Sequence, residues 1–294
     1  MMSRGGAVET HVLTAEGLTA GIKDLVTLPD VAMRIARMVD DPGASAADIG
    51  REICNDAGLT ARLLRIANSA AYGQNRKIAT VSRAITVLGV RQVRDLTVGL
   101  TAVRAFDGIA NDLVTMEVFW RHSVLCAVAA GQIAARRDAA RTESPFVAGL
   151  LHDIGQLVLY SSVPEAARES LLMMADAPDD LQLYLCERSV LAFDHGVVGA
   201  SLARNWGLPE ALLECIEYHH EPHLARGFAA DVATVHIANS VAVLAEIGST
   251  ELSDAPALMP KALETARLDA ANLPEIILQT REAAAEIMPL LLAA

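Results

Sequence analysis

Apolar residues recur along this chain at helical spacing. Leu59, Leu63, Ile66, Ala67 and Ala70 fall at i, i+4, i+7, i+8 and i+11, one stripe of an amphipathic helix that Asp56 can cap and Gly73 can end. Leu28-Pro29-Asp30 opens a helix over residues 31–39, with proline at its start, and Ser45-Ala-Ala-Asp48 reads as a capping box for residues 49–54. Residues 81–88 stop at Gly89, and residues 90–106 form the next helix. A long segment over about residues 114–137, a start at Ser144-Pro145 and further starts at Asp194, Pro209 and Pro274 continue the same signals. No run alternates as a strand would. The pattern predicts an all-α helical bundle.

Composition supports this and limits the function. The 294 residues are 52% hydrophobic and 20% charged, which excludes a disordered or collagen-like chain, and only 4% are aromatic, which favours helix over strand. A polar break at residues 107–112 and a loop at residues 175–180, with Pro178 beside Asp176, Asp179 and Asp180, are too short to be flexible linkers. Two packed subdomains are expected. The net charge of -12 argues against a general hold on nucleic acid. It is unevenly spread: residues 1–110 hold 13 Lys/Arg against 11 Asp/Glu (+2), and residues 111–294 hold 11 against 25 (-14). Cys54, Cys126, Cys186 and Cys215 are far apart and form no C-x-x-C pair, so they read as reduced core thiols of a cytoplasmic protein. Nothing near the N-terminus has the pattern of a signal peptide. The most apolar stretch, residues 123–135 between Arg121 and Arg136, is shorter than the roughly 20 residues a bilayer span needs. A soluble protein without a membrane partner is the expectation.

The candidate chemistry lies in six of the eight histidines: His122, His152 followed by Asp153, His195, the pair His219-His220, and His236. They fall at or near predicted helix ends or faces tens of residues apart, as expected if several helices converge on one site. Imidazole with carboxylate suits Zn, Fe, Mn or Ni. Adjacent helical residues project about 100° apart, so His152 and Asp153 can address one centre only at a helix end, where the carboxylate can bridge two ions. Gly199, one turn after His195, leaves room for a neighbouring backbone. Taken singly, each histidine also reads as a hydrogen-bonded core or helix-terminal residue.

In this order the motifs resemble the HD superfamily of metal-dependent phosphohydrolases, whose signature is H…HD…D. They resemble more closely its HDOD (HD-related output domain) family of bacterial signalling proteins. Leu28-Pro29, Asn55-Asp56, Leu63-Leu64-Arg65-Ile66-Ala67-Asn68-Ser69, Tyr72-Gly73, Ile78, Ala84-Ile85 and Leu88-Gly89 carry the second resemblance. It implies an N-terminal extension (1–17), an HDOD domain (18–245) divided into a helical subdomain (18–110) and an HD-like one (111–245), and a C-terminal helical segment (246–294). It also implies signal transduction through protein contacts, HD catalysis having been lost.

His122, His152, Asp153, His195 and His219, with His220 beside it, match HD-type positions. Asn239 stands where the closing aspartate is expected. Gln156 stands where the similar HD-GYP phosphodiesterases have lysine, and 222–228 lacks their D-G-x-G-Y-P run. Cyclic di-GMP hydrolysis of that type is not expected. Two divalent ions with Asp153 as the only anionic ligand would leave an excess of about +3. Two expectations stay open: one divalent ion at His122, His152 and Asp153, with or without His195 and with His219 and His220 as further candidate ligands, or no cofactor at all. His236 is either a substitute ligand for Asn239 or a buried structural histidine.

A second feature is basic. Residues 57–94 contain no acidic side chain, while Arg62, Arg65, Arg76, Lys77, Arg83, Arg91 and Arg94 contribute seven positive charges. The expected use is docking an acidic surface, on a partner signalling protein or on a second copy in a homodimer, the alternative being solvated helix faces. Tyr72 is the only residue there for base stacking, which disfavours nucleic acid. Two other classes stay open: a metal-dependent phosphohydrolase or phosphodiesterase with Asp153 catalytic, and a small-ligand or nucleotide sensor using the old cavity. From about residue 249 the apolar residues pack a last helix on the bundle or form a dimer contact.

Overall fold

Capping side chains fix the first helices in the computed structural model of the chain, which describes residues 13–22, 28–41, 43–69, 77–106, 111–137, 145–175, 182–255 and 258–292. Thr14 accepts the Gly17 N–H at the head of α1 (Ala15–Gly21). After Pro29 comes α2 (Asp30–Asp40), and Ser45 and Asp48 complete the expected reciprocal box at α3 (Ala46–Cys54). Asp56 accepts the Leu59 N–H at 2.8 Å to open α4 (Ala57–Ala67). Thr80 caps α5 (Val81–Leu88), and Gly89, at φ 90°, turns the chain into α6 (Val90–Ala105). There follow α7 (Met116–Arg137), α8 (Pro145–Leu151), α9 (Ile154–Ser162), α10 (Pro164–Ala175), α11 (Leu183–Leu191), α12 (His195–Asn205), α13 (Glu210–Tyr218), α14 (Ala229–Ile247), α15 (Pro260–Ala266) and α16 (Leu273–Leu292). No strand occurs among the described residues, so the fold is all-α.

Buried side chains from α1 to α16 form one contiguous cluster. Its first and last helices close on distant parts of the chain: α1 packs on α12, where Thr19 and Ser201 share a buried 2.9 Å hydrogen bond, and α16 packs on α7 and α4. Two close approaches position what lies between. A Cβ on Gly155 of α9 would sit 1.9 Å from the His195 carbonyl oxygen and 2.6 Å from the Gly199 nitrogen, so the backbones of α9 and α12 touch. A Cβ on Gly149 of α8 would meet the Cys126 carbonyl oxygen of α7 at 2.8 Å. The room expected at Gly199 is thus filled by the Gly155 backbone.

Several expectations need correction. The stripe starting at Leu59 ends as helix at Ala67. The Asn68 amide then clamps Ile78, accepting its N–H at 2.7 Å and donating to its carbonyl at 2.8 Å. Residues 123–135 belong to a helix of 22 residues. By length and composition α7 and α14 could each cross a bilayer, but 67% of the apolar window of each is buried inside the protein, as in core helices. Of the four free cysteines, Cys54 is exposed at the end of α3 and the other three are buried.

The basic stretch is not one surface. Arg62 and Arg94 are buried, because α4 turns Arg62 inward beside Leu59, Leu63 and Ile66, and α6 is buried along residues 93–103. Arg94 pairs with Asp95, its Nε 2.5 Å from Oδ1. Arg65, Lys77, Arg83 and Arg91 are exposed. Arg76, Tyr72, Gly73, Ala70, Ser144, most of the break at 107–112 and most of the loop at 175–180 lie outside the described residues.

The contact between α9 and α12 makes a direct prediction. Gly155→Ala forces a methyl into the His195 carbonyl and is expected to destabilise the fold by about 3 kcal/mol or more. Gly21→Ala, which meets nothing within 4 Å, is expected to stay within about 0.5 kcal/mol of the parent. Urea unfolding of both variants checks the difference.

Candidate metal centre

Helix ends bring the site together. His152 and Asp153 occupy the two-residue turn between α8 and α9, which lets both reach one centre. His195 is the first residue of α12, whose cap Asp194 accepts the Val197 N–H at 3.0 Å. His219 follows the last turn of α13, with His220 next to it. His122 comes from α7, and Asn239 and His236 from α14.

Asp153 is the hub, and its two oxygens face different partners. Oδ1 lies 3.2 Å from His195 Nε2 and 3.5 Å from His219 Nε2, while Oδ2 lies 3.3 Å from His152 Nε2 and 3.9 Å from His122 Nε2. His220 Nε2 is 3.0 Å from His195 Nε2. The donors form two groups that share the carboxylate: Asp153 with His195, His219 and His220, and Asp153 with His122 and His152. In each group the donor atoms lie within 4.8 Å of one another. His195 therefore sits with His219 and His220, and the expected single set of His122, His152, Asp153 and His195 does not surround one point.

The outward nitrogens explain how the rings are held. His152 Nδ1 donates to the Gly149 carbonyl at 2.7 Å and His219 Nδ1 to the Ile216 carbonyl at 2.8 Å. Glu187 accepts from both Nδ1 and the backbone N–H of His195, at 2.6 and 2.8 Å. Such outer acceptors fix the tautomer and leave Nε2 for a cation. His152 Nε2 and Asp153 Oδ1 are buried and have no hydrogen-bond partner among the described residues, as suits atoms shaped for an ion. The residues fit a divalent metal, and the His/Asp cluster can hold one.

His122 is differently placed. Its Nδ1 is 3.2 Å from Glu246 Oε2 and its Nε2 is 2.9 Å from Asn239 Oδ1, so two oxygens already engage the ring. His236 is structural, because Nδ1 donates to the His219 carbonyl at 2.8 Å and Nε2 accepts the Met259 N–H at 3.2 Å.

Sequence reasoning missed Glu187 and Glu246. Glu246 lies seven residues after Asn239 and so shares its helix face, a signal the sequence held. Glu187 had none beyond being a carboxylate in an apolar helix. Both meet the outer Nδ1 of a histidine, so Asp153 stays the only carboxylate among the donor groups and the expected excess of about +3 at the ligands stands; as outer charges the two glutamates bring the local sum to about +1. Arg188 was also missed. Its Nε meets Asp194 Oδ2 at 2.6 Å and its Nη2 meets Glu221 Oε2 at 2.5 Å, joining the head of α12 to the turn after His220. It also lies over Tyr184, whose ring stacks on His220 at 4.4 Å between centroids.

The charges are arranged around Asp153. Burial alone would raise its pKa, but His152, His195 and His219 outweigh this and hold it well below the usual range. Burial opposes charge on His152, yet Asp153, with Cys126, holds the ring up at about 10. Glu187 and Asp153 likewise overcome burial and hold His195 well above its ordinary value. For His122 the carboxylates of Glu246 and Asp153 overcome burial and raise it. Burial prevails at His219, which falls to about 4, and at His220, which the neighbouring His219 and His195 push down further. Without metal, protons occupy the places a cation would take. A cavity of about 410 Å³ opens onto this centre, with His122, Asp153, Gln156, His195, His220 and Asn239 in its wall.

A family model described as the HDOD domain matches residues 25–222. An uncharacterized protein of Treponema pallidum (strain Nichols) is 27% identical over 227 residues, which make up 76% of this chain and 43% of that protein. The chain thus spans less than half the length of that curated relative. Among solved structures, a Shewanella amazonensis SB2B protein provisionally named a phosphohydrolase gives a TM-score of 0.71 at 23% identity, covering 93% of this chain and 97% of that one. An HDOD domain protein with unknown function from Geobacter sulfurreducens gives 0.64 at 24% identity, covering 92% and 93%. A Marinobacter aquaeolei VT8 protein provisionally named for signal transduction gives 0.67 at 19% identity, covering 97% and 67%. At these identities the likeness is one of fold.

Proton competition sets the expected pH dependence. His152 and His195 are raised, so below their folded pKa values each must lose a proton before Nε2 can bind an ion. Mn²⁺ affinity is expected to rise as pH increases from 6.5 to 8.5, by about tenfold per pH unit for each proton displaced. Titration calorimetry in buffers of different ionisation enthalpy measures both the affinity and the protons released.

Proposed function

This chain belongs to the HDOD domain family, and we propose that it is a cytoplasmic bacterial signal-transduction protein that binds other proteins under the control of a metal centre. In this reading a divalent Fe, Mn, Zn or Ni ion is held by Asp153, His195, His219 and His220. Residues 111–245 form the HD-like subdomain that carries it. Residues 18–110 form the partner-facing subdomain, where exposed Arg65, Lys77, Arg83 and Arg91 suit an acidic partner or a second copy.

The observation that carries this reading is the His122–Asn239 contact at 2.9 Å. A bound divalent ion supplies charge neutralisation at a phosphoryl oxygen and lowers the pKa of water. A two-ion site needs anionic donors on both sides, and here the closing donor is a neutral amide that already engages His122. Binding that holds α7, α9, α12, α13 and α14 in register is therefore favoured over turnover. The competing reading, a metal-dependent phosphohydrolase, draws on the two donor groups that share Asp153.

One experiment separates them. Protein purified without chelator is assayed for metal content and for phosphodiester turnover with Mn, Fe and Ni. The expected outcome is near-stoichiometric metal, lost in Asp153→Ala, with no turnover above buffer. Turnover abolished by Asp153→Ala would establish the hydrolase reading, and metal-free protein unable to take up Mn²⁺ would remove both.

A further inference from the structure

A buried charge in the first helices is left without a counter-ion. Arg62 of α4 is only 8% exposed, and its Nε is enclosed with no hydrogen-bond partner. Arg94 is buried likewise but meets Asp95, whereas among the described residues Arg62 pairs with no carboxylate. A guanidinium stays charged in a folded chain, so burying one without an anion or an acceptor is costly.

The fork of Arg62 lies over the first turn of its own helix. A Cβ on Gly58 would sit 3.5 Å from Nη1 and 3.9 Å from Nη2, and Gly58 is exposed, so the Nη edge opens to solvent there. That end of a helix carries partial positive charge, which favours an anion and not a second cation. Asp56 is close, its Oδ1 3.3 Å from the same Gly58 position, but that oxygen already accepts the Leu59 N–H at 2.8 Å as the helix cap. The other charges acting on Arg62 add to the excess. Arg104 is exposed in the last turn of α6, which packs on α4, and Arg65 is exposed three residues further along α4. Burial and then Arg104 lower the Arg62 pKa, and Asp56 offsets this only in part. Arg62, Arg65 and Arg104 against Asp56 leave +2.

We propose that the Nη edge of Arg62, with Arg104 beside it, is a binding site for a doubly charged oxyanion, the phosphoryl group of a monoester. Charge decides among the oxyanions: a carboxylate would leave +1, while a phosphoryl group of about −2 balances the sum. A planar guanidinium also presents two parallel N–H donors to such a group. The site uses neither the metal centre nor a particular partner, because a free phosphate and a phosphorylated side chain carry the same group.

The probe is inorganic phosphate, added to metal-free protein at about pH 8, where it is mostly doubly charged, with acetate at equal ionic strength for comparison. The Arg62 Nε–H resonance, identified by its loss in Arg62→Met, reports occupancy directly, and thermal unfolding reports the stabilisation. Phosphate is expected to shift that resonance saturably and to raise the Tm, with acetate at least about tenfold weaker. Arg104→Gln, a change at an exposed position, is expected to weaken phosphate binding by about tenfold or more. Arg62→Met keeps the apolar stem and removes the unpaired charge. It is expected to be at least as stable as the parent in phosphate-free buffer and to lose the response to phosphate. Gly-phosphoserine-Gly binding more tightly than inorganic phosphate would assign the group to a protein, and equal or weaker binding would assign it to a free anion. No saturable shift, acetate matching phosphate, an unchanged phosphate response in Arg104→Gln, or Arg62→Met unfolding below the parent without phosphate would each overturn the proposal.

Discussion

A carboxylate buried among imidazoles organises this molecule. Asp153 lies in a two-residue turn, with four ring nitrogens 3.2 to 3.9 Å from its oxygens. Removing such a group from water is costly unless positive charge meets it, and the raised His152 and His195 supply that charge when no ion is present. The histidines come from separate helices, so their convergence depends on how closely the helices approach. Gly155 against Gly199 and Gly149 against α7 are backbone contacts that no side chain could enter. The glycines and the charged cluster are thus parts of one constraint.

Around the cluster stands a second layer. Glu187 holds His195, Glu246 holds His122, and Arg188 ties the cap of α12 to Glu221 just past the His219-His220 pair. On the α14 side the layer reaches inward, because Asn239 occupies His122. The two donor groups are therefore unequal. One presents four donors, and the other has its outer histidine already engaged. The group of Asp153, His195, His219 and His220 is the one whose donors all remain available to an ion.

Local signals in the sequence survive in the fold wherever the interaction is itself local. The Ser45–Asp48 box, the caps Asp56 and Asp194, and the space at Gly199 are examples. The histidines and Asp153 were legible because their residue types are rare in helical cores and recur together. Features set by which side of a helix faces inward were less so. Arg62 and Arg94 belong to an uninterrupted basic run, yet α4 and α6 bury them, and a run of charge does not record that. Asn68 ends α4 by clamping Ile78, ten residues away, a contact that spacing alone does not announce. Glu187 was invisible as a site residue until α11 met α12.

The central claim is that Asp153 and its histidines form a metal centre rather than a set of satisfied core residues. Anomalous diffraction at the manganese edge, from crystals grown with Mn²⁺, tests it most directly. The account predicts a manganese peak bound by Asp153 Oδ1 and by Nε2 of His195, His219 and His220. No anomalous density at the cluster, with Asp153 still paired only to histidine, would contradict it.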